Sequence, residues 1–94
     1  MIKILKEMDK ITIKGHAGYR ESNDIVCASI STIMYTTVNA ILNFNDKAIN
    51  FTDNNNECII TINTHDDITD KLIDNMIWMF EEVSKEYPSN VEIK

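Results

Sequence analysis

The chain has 94 residues, of which 44% are hydrophobic and 26% charged, with only two glycines and one proline. That length carries one modest core and excludes two independent domains, and the composition excludes a linker-rich or disordered chain. Fifteen acidic against nine basic side chains leave a formal charge of −6, which repels phosphate backbones and argues against direct nucleic-acid binding.

The N-terminal MIKILKEMDK lacks the apolar centre of a secretory signal, and no stretch reads as eighteen consecutive apolar residues. The expected setting is cytoplasmic, without membrane insertion. Residues 1–6 alternate around Ile2 and Ile4, and residues 10–14 around Ile11 and Ile13, which predicts a hairpin turning through Glu7, Met8 and Asp9. Lys3, Lys6, Lys10 and Lys14 concentrate positive charge on this hairpin and read as a solvated strand face that opposes aggregation.

From Asp24 the period changes. Val26, Ile30, Ile33, Thr37 and Ile41 lay one apolar stripe along a helix of about eighteen residues. Its β-branched content lowers helix propensity, so burial must hold it. Two strands follow, Lys47 to Phe51 and Cys58 to Asn63, joined by a polar tip from Thr52 to Glu57. A second helix is expected from Asp67, with Ile68, Leu72, Met76, Phe80, Val83 and Tyr87 on one face and Asp66, Asp67 and Asp70 near its positive dipole end. Tyr87 to Asn90 stop it, and Val91 to Lys94 form a short closing strand. The order β-β-α-β-β-α-β predicts a mixed α+β fold, a sheet of about five strands with two helices packed on it.

The chemistry concentrates in GHAGYRESNDIVCASIS, residues 15–31. His16 closes the second strand and Cys27 falls in the first turn of the first helix, so one connection can bring imidazole and thiol together. If Asp24 caps that helix, Cys27 is its third residue, beside unpaired amides and the positive end of the dipole. A helix start and a neighbouring imidazolium both favour the thiolate, and the same amides can donate to an oxyanion. His16 would then protonate the leaving amine. Gly15 and Gly18 give the backbone room, and Ala17, Gly18, Tyr19, Arg20, Glu21, Ser22 and Asn23 form the loop that a substrate would meet. Ser31 lies one turn beyond Cys27 on the same helical face.

Each residue also has a plainer role. Cys27 and Cys58 alone read as core residues, Asp24 as a cap, Ser31 as a hydroxyl bonded to the carbonyl of Cys27, and His65 as a capping or exposed residue beside Asp66. A metal site built from Cys27, His16 and His65 lacks a fourth ligand at recognisable spacing, and no metal or other cofactor is expected.

GHAGY at 15–19 and DIVCASIS at 24–31 resemble the hallmark segments of the ribosomal-processing cysteine proteases called Prp, a GHAGY-type segment followed by DIVCAAVS. The resemblance implies two helices on a mixed sheet, a homodimer, and a catalytic dyad falling on His16 and Cys27, with Gly15, Asp24 and Ser31 at the motif's other positions. It also implies the substrate, a ribosomal protein precursor of the large subunit that loses a short N-terminal extension by cleavage after an aromatic residue. The alternative in a different class is a non-catalytic, ribosome-associated module of the same fold that binds peptide or protein without cutting it.

Overall fold

The computed structural model describes residues 1–15, 25–54 and 56–94. The elements are β1 (Ile2–Lys6), β2 (Lys10–Lys14), α1 (Ile25–Phe44), β3 (Ile49–Asp53), β4 (Glu57–Ile62), α2 (Asp67–Glu86) and β5 (Val91–Ile93). Their order is the one the hydrophobic periods predict.

The strands form one sheet in the order β3-β4-β2-β1-β5, antiparallel throughout except for the parallel pair β1–β5. β2 is the central strand. Its Ile11 and Ile13 pair with Lys6 and Ile4 of β1 on one side and with Ile60 and Cys58 of β4 on the other. Strand alternation sends Ile2, Ile4, Ile11, Ile13, Ile49, Cys58, Ile60, Ile62 and Val91 to one face, where both helices cover them. Each fully buried isoleucine contributes roughly 1.5–3 kcal/mol.

The opposite face is open. Lys14 lies 3.5 Å from Glu57, Lys10 lies 3.8 Å from Glu7, and Lys3 pairs in register with Glu92. The lysines are thus solvated and interleaved with acids, around a concavity of about 350 Å³ that lies across the sheet from the helices.

α1 buries Val26, Cys27, Ile30, Met34, Thr37, Val38 and Ile41. Ile33 is half-buried, and Thr37 Oγ1 donates to its carbonyl at 2.9 Å, which satisfies the buried hydroxyl. By length and composition α1 is also long and apolar enough to cross a membrane. Its polar residues are uncharged serines, threonines and asparagines, which keep it apolar without a continuous apolar run. Six of its seven buried residues, all but Thr37, belong to the hydrophobic core.

The bounds of both middle strands differ from expectation, and β4 runs Glu57–Ile62, not Cys58 to Asn63. β3 spans Ile49–Asp53, not Lys47 to Phe51, because Asn45 ends α1 in a turn. The Lys47 amide donates to Asn45 Oδ1 at 3.0 Å and the Ala48 amide to the Asn45 carbonyl at 3.1 Å, so both residues are committed before the strand begins. The polar tip contracts correspondingly, since Thr52 pairs with Ile59 and Asp53 with Cys58. Asn55, within that tip, lies outside the described residues.

α2 starts at Asp66, whose carboxylate accepts from the Thr69 amide at 2.7 Å and the Thr69 hydroxyl at 3.1 Å. Its buried stripe is Thr69, Ile73, Met76, Ile77 and Phe80. Ile68, expected on that stripe, is 46% exposed because it lies one residue, about 100°, round the helix from Thr69. Tyr87 is the C-cap with φ −131° and leaves the helical path, so it does not extend the stripe.

His65 fastens the β1–β2 turn to α2. Its Nε2 lies 2.6 Å from Asp9 Oδ1 and its Nδ1 lies 2.9 Å from Asp70 Oδ1, and these two hydrogen bonds raise its pKa above the usual value. An imidazolium donates to both carboxylates at once. A neutral ring can donate to only one.

Two predictions follow from these contacts. The folded state favours the His65 proton, so this contribution is complete below the unfolded value near 6.5 and disappears as pH rises through the raised folded value. The stability of the wild type to denaturant should therefore fall relative to His65→Gln as pH rises above about 6.5, with the difference shrinking in high salt because the side chain is 44% exposed. Gly15 has φ +92°, and a Cβ there would meet the Met1 carbonyl oxygen at 2.4 Å. Gly15→Ala should cost about 1–3 kcal/mol in the same assay.

Candidate active site

β2 ends at Lys14, and Gly15 follows in a left-handed conformation that an L side chain rarely adopts. Its amide donates to the Asn56 carbonyl at 3.1 Å, so the residue preceding His16 is tied to the β3–β4 tip. The other side of the connection is the start of α1 at Ile25. His16, Ala17, Gly18, Tyr19, Arg20, Glu21, Ser22, Asn23 and Asp24 lie outside the described residues.

Cys27 is the third residue of α1, as its spacing from Asp24 predicts. The first-turn amides have no carbonyl partner within the helix, so the thiol sits where a developing negative charge is favoured. It is also 1% exposed, between Val26 and Ile30 on the buried stripe. Ser31, one turn on, is half-buried. On the outer side of the same turns, Ile25, Ala28, Ser29, Thr32, Ile33 and Val83 line a shallow, largely apolar groove. Ser29 Oγ donates to the Ile25 carbonyl at 2.8 Å and closes that turn.

Cys58 has a different environment. It is 0% exposed on β4, paired with Ile13 on one side and Asp53 on the other. Burial, the Asp53 charge and a hydrogen bond to the Asp53 carboxylate together push its pKa up to about 12. At neutral pH it remains a thiol and serves as a hydrogen-bond donor.

The sequence reading assigned Asp53 to a polar tip and missed this role. Asp53 also accepts a hydrogen bond from the Tyr35 hydroxyl of α1, and Tyr35 packs edge-on against Phe51 with ring centroids 5.7 Å apart. Extending the β3–β4 register two pairs beyond Phe51 and Ile60 brings Asp53 opposite Cys58, a signal that would have revealed it.

His65 does not belong to this region. Asp9, its partner, precedes β2, whereas Gly15 follows it, which places His65 and Gly15 at opposite ends of a strand roughly 17 Å long. A metal centre combining His65 with Cys27 is not supported by this arrangement. Among the described residues, no group of three or more His, Cys, Asp or Glu side chains is placed to hold a metal ion.

Comparison with known proteins gives a consistent result. The ribosomal processing cysteine protease Prp of Staphylococcus aureus is 29% identical over 87 residues, covering 88% of this chain and 82% of that protein. A crystal structure of S. aureus Prp with a covalently linked product peptide superposes with a TM-score of 0.81 at 24% identity, covering 99% of this chain and 95% of that one. S. aureus Prp with a substrate peptide gives 0.82 at 22% identity over the same shares, and a Streptococcus mutans protein gives 0.79 at 20% over 99% and 90%. These superpositions reproduce the five-stranded sheet and its two helices. The sequence profile of cysteine protease Prp matches residues 1–92, and this chain belongs to that family of cysteine proteases.

Proposed function

We propose that the protein is a cysteine endopeptidase that removes a short N-terminal extension from a large-subunit ribosomal protein precursor, with Cys27 as nucleophile and His16 as general acid and base. The observation that carries this reading is the place of Cys27 in the first turn of α1, in contrast to Cys58, which is sealed in the sheet beside a carboxylate. Family membership supports proteolysis, and the S. aureus relative is a ribosomal processing protease whose structures include a substrate peptide and a product peptide.

The thiolate of Cys27 attacks the scissile carbonyl carbon, and the carbonyl oxygen becomes an oxyanion that the first-turn amides can stabilise. Collapse breaks the C–N bond as His16 donates its proton to the departing amine. Water, deprotonated by His16, then attacks the thioester and releases the carboxylate product and the thiol. Asp24 would cap the helix that orients Cys27, Gly15 would set where His16 begins, and Ser31 would lie one turn below the thiol. Residues 17–23 would meet the substrate backbone. The groove lined by Ile25, Ala28, Thr32 and Val83 offers an apolar surface beside the same helical turn. An acidic chain suits a basic ribosomal substrate. The same reading places the protein in the cytoplasm as a homodimer.

Incubation with the precursor from the same source should give one cleavage, lost in Cys27→Ala and reduced roughly 10²–10⁴-fold in His16→Ala. Binding without cleavage by the wild type would instead identify a non-catalytic peptide-binding module. Alkylation at neutral pH followed by peptide mass analysis should modify Cys27 well before Cys58. Equal, slow labelling of both cysteines would overturn the assignment of Cys27.

A further inference from the structure

A His/Cys pair works only if the two segments carrying it are held at one spacing, because misplacement of about 1 Å can cost 10²-fold in rate. The described structure shows what ties the two flanks of the 16–24 connection together. Gly15 is held on one side by its hydrogen bond to the Asn56 carbonyl. Asn56 belongs to a tip closed by Asn54, whose amide donates to the Glu57 carbonyl at 2.9 Å.

The tip grows directly out of Asp53, the final residue of β3. Tyr35 lies eight residues after Cys27, about 12 Å further along α1, and donates its hydroxyl hydrogen to Asp53 Oδ2. The Cys58 thiol hydrogen-bonds to the same carboxylate from β4. A path therefore runs from Cys27 along α1 to Tyr35, across to Asp53 and its neighbour Asn54, whose carbonyl accepts from the Asn56 amide at 2.7 Å, and over to Gly15.

We infer that Tyr35 and Asp53 are positioning residues for proteolysis, clamping the helix that bears Cys27 to the hairpin tip that holds Gly15, immediately before His16. This rests on the His16/Cys27 reading proposed above. Tyr35 is 37% exposed, so water can satisfy its hydroxyl when the bond is broken, and packing against Phe51 does not depend on that hydroxyl. Loss of the bond thus leaves folding almost unchanged while loosening the spacing. The charge on Asp53 strengthens the link and gives it direction.

The test compares Tyr35→Phe and Asp53→Asn, each alone and combined with His16→Ala, using precursor cleavage, the pH profile of Cys27 alkylation and thermal unfolding. The expected result is a fall in kcat of about 10-fold or more with KM changed less than about twofold. The Cys27 alkylation profile should move towards that of His16→Ala, and Tyr35→Phe added to His16→Ala should move it no further. If Asp53→Asn unfolds, Tyr35→Phe, which keeps the ring, decides the matter. Wild-type kcat and profile in a folded Tyr35→Phe would overturn the inference. So would a shift that persists in full on the His16→Ala background, since it would arise without His16. If His16→Ala itself changes neither cleavage nor alkylation, the His16/Cys27 reading fails and the clamp fails with it, an outcome distinct from a His16 effect to which Tyr35 is indifferent.

Discussion

The rest of the structure depends on β2 being hydrogen-bonded along both edges. A one-residue slip of this strand would turn Ile11 and Ile13 from the core to the open face and break both ladders together. The register is thus fixed by burial and pairing at once, and the place where β2 ends is fixed with it. Gly15 stands at that place, in a conformation and at a backbone approach that exclude a side chain. The connection to α1 therefore departs from the central strand of the sheet, which two neighbours hold in register.

The same economy of surface shapes the helices. A chain of this size covers one face of its sheet, and both helices are used for that purpose. α1 then has two tasks, because the stripe that packs on the sheet includes Cys27 in its first turn. Burial keeps a helix rich in β-branched residues folded, and the helix start supplies the amides around the thiol. At 1% exposure Cys27 is as deeply buried as Ile30, which follows it on the stripe.

The periodic parts of the fold are legible in the sequence because they depend on neighbours. The Ile2/Ile4 and Ile11/Ile13 alternation and the Val26-to-Ile41 stripe each report burial through local spacing. Ile68 and Tyr87 misled for a related reason: both are apolar, but one lies beside the stripe and the other follows the helical path's end, and hydrophobicity alone does not distinguish the core from its margin. Lys47 read as strand because the Asn45 side chain that captures its amide gives no periodic signal. The long-range polar contacts were not legible at all. His65 has Asp66 beside it in sequence, yet its ring is held by Asp9 and Asp70, and Asp53 joins Tyr35 to Cys58 only because the β3–β4 ladder runs two pairs further than its polar composition suggests. Of the candidate site, the helix-start position of Cys27 was readable from the spacing to Asp24, whereas the environment that separates it from Cys58 was not.

Two histidines and two cysteines allow four pairings, and the fold weighs them unequally. His65 is engaged by two carboxylates before β2 begins, at the opposite end of that strand from Gly15. Cys58 is enclosed in the sheet, and the carboxylate beside it opposes ionisation, so an imidazole would have to overcome both desolvation and a like charge to activate it. Cys27 is buried as well, at 1% exposure, but it starts a helix, and it and His16 flank one connection in the sequence between a fixed strand end and that helix start. Asp53 keeps Cys58 protonated. Place in the fold, a helix start against a strand paired on both edges, is what makes one cysteine of this chain a candidate nucleophile and the other a structural donor.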